Sequence, residues 1–174
     1  MSNLIINKQL EEIAISLRET LEIDSNAVIS KYDFDMIVDK IKKNFENTKI
    51  QTVRDGCLLV INDKSQFVIY LSINDNLEEQ FYSLIRFFTY AIIFDKKTLN
   101  MHEQKNHYIS YSKILNDKYA SYLALAFLMP QELFYSTWIK YSRNDGTVDI
   151  FAMEKELKNK YVYRRGLDLG YWIV

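Results

Sequence analysis

The 174-residue chain is poor in the residues from which most recognisable sites are built: one cysteine, one proline, four glycines and two histidines. A lone cysteine, Cys57, excludes a disulfide framework and a cysteine zinc site, and makes a reducing compartment the simpler expectation. Glycine occurs only at Gly56, Gly146, Gly166 and Gly170, so no Gly-rich phosphate loop can form and nucleotide binding by a P-loop or Rossmann route is excluded. An excess of positive charge is missing too. With 22 basic and 23 acidic residues the formal net charge is -1, and no global basic field draws a nucleic-acid backbone. There is no run of about twenty apolar residues to cross a membrane, and the stretch from Met1 to Arg18 is too polar for a signal peptide. The expectation is a cytoplasmic protein with no membrane segment and no direct nucleic-acid partner.

What is present is core material. Hydrophobic residues make up 48% of the chain, which excludes disorder and suffices for one ordinary domain. Leu10, Ile13, Leu17 and Leu21 share one face of a helix over Lys8 to Leu21, and Met36, Ile37, Ile41 and Phe45 do the same over Asp33 to Phe45. These two helices are expected to pack together. Short β-type runs follow at Ile50 to Arg54, Cys57 to Ile61 and Gln66 to Ile73, with Asp55-Gly56 as a hairpin signal between the first two.

The pattern returns to helix from Leu77 to Phe94, capped within Asn74 to Asn76 and apolar almost all round in its later part, as befits a central helix. Lys96 to Ser112 is polar and reads as a loop or broken helix. A strongly apolar helix from Lys113 to Met129 is closed by Pro130, which can open the next helix, Gln131 to Tyr141. A turn at Asn144-Asp145-Gly146 precedes a helix over Ile150 to Leu157 capped by Thr147 or Asp149. The last helix, Tyr161 to Leu169, ends at Gly170.

Three runs in this order carry a family resemblance: Phe88-Thr89-Tyr90-Ala91 entering the central helix's last turns, Ala120 through Leu128-Met129-Pro130, and Arg164-Arg165-Gly166-Leu167-Asp168-Leu169-Gly170-Tyr171. Over roughly Asp55 to Trp172 the chain resembles the ImmA/IrrE-type metallopeptidases, bacterial and phage proteins that cleave or inactivate a helix-turn-helix repressor. The resemblance implies an α+β fold, a mainly helical zincin-like domain over residues 1–143 with a small three-stranded sheet. A small C-terminal helical lobe over residues 144–174 packs on it.

The family's diagnostic His-Glu-x-x-His motif is absent. Carried across without gaps, its two histidines fall on Ile92 and Lys96, its glutamate base on Ile93, and an acidic pair on Asp117 and Tyr119. Isoleucine cannot ligate zinc, and a lysine ammonium repels it. A zinc-bound water is activated by the metal together with a carboxylate base, so hydrolysis by the family mechanism is not expected here. Such a site would hold no metal and no cofactor, and Tyr119 beside Ile92 would fill it with apolar volume.

The alternative is an active enzyme with a displaced zinc site built from His102, His107 and Asp117, with Glu103 nearby. The two histidines are five residues apart, a spacing that does not bring them together on one helical face. Cys57 reads as a small buried hydrophobe, and Lys40, Lys42 and Lys43 as a solvated helix face. The leading expectation is a catalytically inactive, metallopeptidase-like protein that works by binding, its partner a helix-turn-helix transcription regulator of a phage or mobile element. Phe134, Trp138, Tyr141, Arg164, Arg165 and Trp172 are the expected recognition residues, on resemblance and on the preference of interfaces for Tyr, Trp and Arg.

Overall fold

A computed structural model describes the backbone of residues 3–61, 66–98, 107–110 and 116–171, and the side chains of 7–61, 66–93, 110 and 116–171. Among these residues the chain is mostly helical, with one small mixed sheet, the α+β class expected from its patterning. It divides into two compact units, one made of Met1–Ser30 and Tyr122–Val174, the other of Lys31–Ser121.

The contiguous unit, Lys31–Ser121, holds the sheet. A 3-10 turn (Lys31–Asp33) leads into α2 (Phe34–Asn44), which buries Ile37 and Ile41 and packs on β1 (Thr48–Val53). β2 (Leu58–Ile61) and β3 (Phe67–Ser72) follow, and the sheet order is β1-β3-β2-β4. β1 runs parallel to β3, with Thr48 opposite Phe67 and Val53 opposite Ser72, whereas β2 is antiparallel to β3.

The Asp55-Gly56 hairpin is therefore corrected: the turn exists, with Gly56 at φ +77, but the strands on either side of it do not pair. β3 lies between them. The polar end of β3 holds this turn, since Ser72 Oγ and Asn74 Nδ2 both donate to the carbonyl of Arg54, at 3.2 and 2.6 Å. A second correction is the fourth strand, β4 (His107–Ser110), antiparallel to β2, inside a stretch read as loop or broken helix.

From Asn76 a capping box starts α3 (Leu77–Thr98): Glu79 N–H donates to Asn76 Oδ1 at 3.1 Å, and Asn76 N–H to the Glu79 carboxylate at 3.3 Å. Every residue from Phe81 to Ala91 is buried except half-buried Arg86, in keeping with the all-round apolar pattern. Thr89 fits there because its hydroxyl donates to the Ile85 carbonyl at 2.9 Å. α4 (Lys118–Leu128) is capped by Asp117, whose Oδ1 accepts the N–H groups of Tyr119 and Ala120 at 2.9 and 3.0 Å.

In the other unit, α1 (Asn3–Thr20) buries Leu10, Ala14, Leu17 and, just beyond its end, Leu21. The first two helices, expected to pack together, fall in different units, and within its own unit α2 packs on β1. Pro130, with φ -50 and ψ 150, closes α4's turn and begins α5 (Gln131–Tyr141). Asp149 accepts the Ala152 N–H to cap α6 (Ile150–Leu157), and α7 (Val162–Asp168) ends before Gly170 at φ +77, a conformation only glycine adopts cheaply. α6 packs on α5 and α7 on α6. No helix of the described residues is long and apolar enough to cross a membrane.

Candidate functional site

The positions matching the lost motif lie on the last turns of α3 and the start of α4. Ile92 and Ile93 are half-buried, Lys96 lies within the helical backbone with its side chain outside the described residues, and Tyr119 is half-buried with Lys118 Nζ 5.0 Å from its ring centre. Burial, and then the charge of Asp117, push the Tyr90 phenol up, so the carboxylate that opens α4 is felt on α3. Asp117 is committed to two backbone donors at the helix terminus. Ile92 and Ile93 carry no atom that binds a metal or takes a proton, so these positions do not fit zinc.

Among the described residues no three His, Cys, Asp or Glu side chains gather closely enough to hold a metal ion. His102, Glu103 and the His107 side chain lie outside those residues; only the backbone of His107 is placed, in β4. Cys57 is half-buried, its thiol donating to Asp75 Oδ2 at 3.3 Å, and burial is the main cause that pushes that thiol up. It is a poor nucleophile there.

The expected recognition residues separate into two groups. Phe134 and Arg165 have no exposed surface and stand behind the surface rather than on it. Trp138 and Tyr141 are half-buried, and Arg164 is exposed in an i,i+4 ion pair with Asp168 at 3.1 Å. Tyr141 Oη donates to Glu156 at 2.6 Å, and Lys140 pairs with the same carboxylate, tying α5 to α6. Trp172 lies outside the described residues. Its neighbour Tyr171 stacks over α5, with ring centres 5.9 Å from Phe134, 6.1 Å from Tyr135 and 5.0 Å from Trp138.

Sequence reasoning overlooked a buried ionic cluster. Glu11 and Arg18 lie on the same stripe of α1 as Leu10, Ala14 and Leu17, and both are buried, Arg18 completely. Arg18 donates to the carbonyls of Phe127 at 2.7 Å, Asp24 at 2.6 Å and Ala27 at 2.5 Å. Arg165 donates through Nε to the Met129 carbonyl at 2.9 Å and through Nη2 to Glu11 Oε1 at 2.6 Å, where the Tyr122 hydroxyl also donates, at 2.7 Å.

The cause is local to Pro130. α4 stops at Leu128, just ahead of Pro130, so its last carbonyls have no N–H from a following turn, and the helix dipole makes them negative. Two guanidinium groups are aimed at that end. Desolvation pulls Arg18 down to about 10, against the opposing pull of Asp24, so it remains charged at neutral pH and its bonds are charge-assisted. Burial above all, then the bond to Glu11, pushes the Tyr122 phenol up, keeping it a donor. The sequence signal was there: Glu11 and Arg18, seven apart, fall in phase with the apolar residues of α1.

Among the described residues, three buried side-chain atoms of the cluster have no hydrogen-bond partner: Glu11 Oε2, Arg18 Nε and Arg165 Nη1. Glu11 also lines a cleft of about 420 Å³ between α1 and the start of α5. Compared with protein-family models, curated proteins and solved structures, the chain matches none of them.

Proposed function

We propose that this protein acts by binding another protein, and that it is a catalytically inactive relative of the ImmA/IrrE-type metallopeptidases whose partner is a helix-turn-helix transcription regulator of a phage or mobile element. One observation carries the catalytic half of the reading: Ile92 and Ile93, on the last turns of α3, offer no ligand and no base. Asp117, the acidic residue kept at the start of α4, serves as a helix cap.

The binding half is supported by α5. Tyr135 and Ile139, four residues apart and so on one helical face, are 49% and 55% exposed, with Tyr171 stacked beside Tyr135. Large apolar side chains held open on a rigid helix are the material of protein interfaces. The identity of the regulator comes from the resemblance alone.

The test joins a metal measurement to a capture. Purified protein is expected to carry no stoichiometric zinc after overexpression in zinc-supplemented medium, and to co-purify with a regulator from its native host, with Ile139→Asp abolishing the capture. About one tightly held zinc per chain would overturn the inactive reading. Capture of no regulator, or capture indifferent to Ile139→Asp, would overturn the binding reading.

A further inference from the structure

We infer that the outer edge of β1 is a self-association site, where a second copy of this chain adds its own β1 in antiparallel register. The inference stands independently of the partner proposed above. β1 ends the sheet, and among the described residues no strand lies beyond it. Which of its backbone groups face outward follows from the ladder. Phe67 N–H donates to the Asn47 carbonyl and Ile73 N–H to the Val53 carbonyl, both at 2.8 Å, and the register between them is unbroken. In a parallel pair alternate residues bond to the same neighbour, so Lys49, Gln51 and Val53 are used against β3. Ile50 and Thr52 turn their N–H and C=O groups away from it. The Thr48 N–H, which belongs to the same row, is already taken by the Phe45 carbonyl at 2.8 Å. Edges of this kind are commonly blunted by a proline, a bulge or charge; Thr48–Val53 has neither proline nor bulge, and Lys49 is its one charge.

Any extended segment offers backbone groups, so the side chains and their cover must choose the occupant. Thr48, Ile50 and Thr52 lie opposite Phe67, Ile69 and Leu71, on the buried side of the sheet. Along that side the cover thins: Thr48 is 7% exposed, Ile50 half-buried and Thr52 exposed, so the end of β1 that follows α2 is shielded and the far end is open. A parallel copy would set shielded end against shielded end. An antiparallel copy sets each shielded end beside the other's open one. About a two-fold axis at Gln51, Ile50 of each copy exchanges both hydrogen bonds with Thr52 of the other, using every outward N–H that is free. The same register places Gln51 against Gln51, whose amides donate and accept mutually, and Lys49 against Val53 of the other copy. No like charges meet. The competing account is a hydrated edge with no occupant.

Sedimentation equilibrium of the full chain from about 10 µM to 1 mM is expected to show a reversible dimer, dissociating in the upper part of that range because one short strand per copy is a small interface. Gln51→Glu and Gln51→Lys each set like charges face to face and are expected to weaken the dimer about threefold, whereas their equimolar mixture should associate more tightly than either alone. Thr52→Pro removes an outward N–H and no bond to β3, so it should abolish the dimer and leave the far-UV circular dichroism and the urea midpoint near wild type. If that variant does not fold, the charge pair carries the test. Ile139→Asp, on α5, is expected to leave the dimer unchanged, which separates this edge from the surface proposed for the regulator. A monomer throughout the range, a dimer indifferent to the Gln51 variants, or a mixture no tighter than its components would overturn the inference. So would tightening by Gln51→Glu, a folded Thr52→Pro that still dimerises, or a dimer lost in Ile139→Asp.

Discussion

Replacing Arg165 with methionine is the sharpest test of the buried cluster. The substitution removes the donors to Met129 O at 2.9 Å and Glu11 Oε1 at 2.6 Å while leaving Glu11 buried, with Tyr122 its remaining donor. Breaking a buried ion pair from one side costs about 3–5 kcal/mol because a charge is stranded. That is a large share of a total stability of roughly 5–15 kcal/mol. Glu11→Met should cost a similar amount by stranding the guanidinium. The double variant replaces the pair by apolar volume, which is often near neutral, and leaves two neutral groups, Met129 O and Tyr122 Oη, short of a partner at roughly 1–3 kcal/mol each. It should therefore lose less than the two singles summed, with a coupling of at least about 2 kcal/mol.

Urea unfolding read by tryptophan fluorescence is the appropriate assay, because both tryptophans, at 138 and 172, belong to the unit that holds the cluster. Far-UV circular dichroism on the same samples reports both units together. A single variant within about 0.5 kcal/mol of wild type, or a double variant that is simply additive, would refute the claim that the pair is buried and mutually dependent.

Two further outcomes follow from the helix termini. Asp117→Ala removes the acceptor for two N–H groups of α4 and should lower stability by about 0.5–2 kcal/mol; an unchanged urea midpoint would show that the cap contributes nothing. Glu156 is held below its ordinary value by its bonds from Lys140 and then Tyr141, so the folded state keeps this carboxylate ionised where the unfolded chain protonates it. Its contribution is present above about pH 4.5, the ordinary glutamate value, and is lost as pH falls through the lower folded value. The urea midpoint of Glu156→Gln should therefore fall less steeply than wild type on acidification below that pH, and parallel curves would contradict the assignment.

The elements whose limits are set by chemistry within a few residues were legible in the sequence. Pro130 and Gln131–Tyr141, Asp149 and Ile150–Leu157, and the left-handed Gly170 all follow from caps and breakers that act locally. Strand partnership was not legible, because Asp55-Gly56 specifies a turn and not what lies beside it; β3, arriving later, takes the position between β1 and β2. β4 was hidden in a polar stretch, since a short strand is identified by the neighbour it pairs with. At the candidate site, Ile92 and Ile93 could be named from the resemblance, whereas Glu11 was passed over because a charge on a mixed helix is normally a solvated one. Its phase with Leu10 and Leu17 marks it as inward-facing, and Tyr122 and Arg165, far along the chain, make that position tolerable.

The unit that contains the arginines is assembled from two separate stretches, with Lys31–Ser121 inserted between them. On a ribosome adding roughly 5–20 residues per second, the inserted segment is complete and free to fold while Arg18 still lacks Phe127 and Glu11 still lacks Arg165. For many seconds α1 therefore exposes an apolar stripe bearing two unmatched charges to the cell. Two charges on that stripe would favour its staying hydrated during synthesis, until the last helices bring the partners that Glu11 and Arg18 hold in the folded protein.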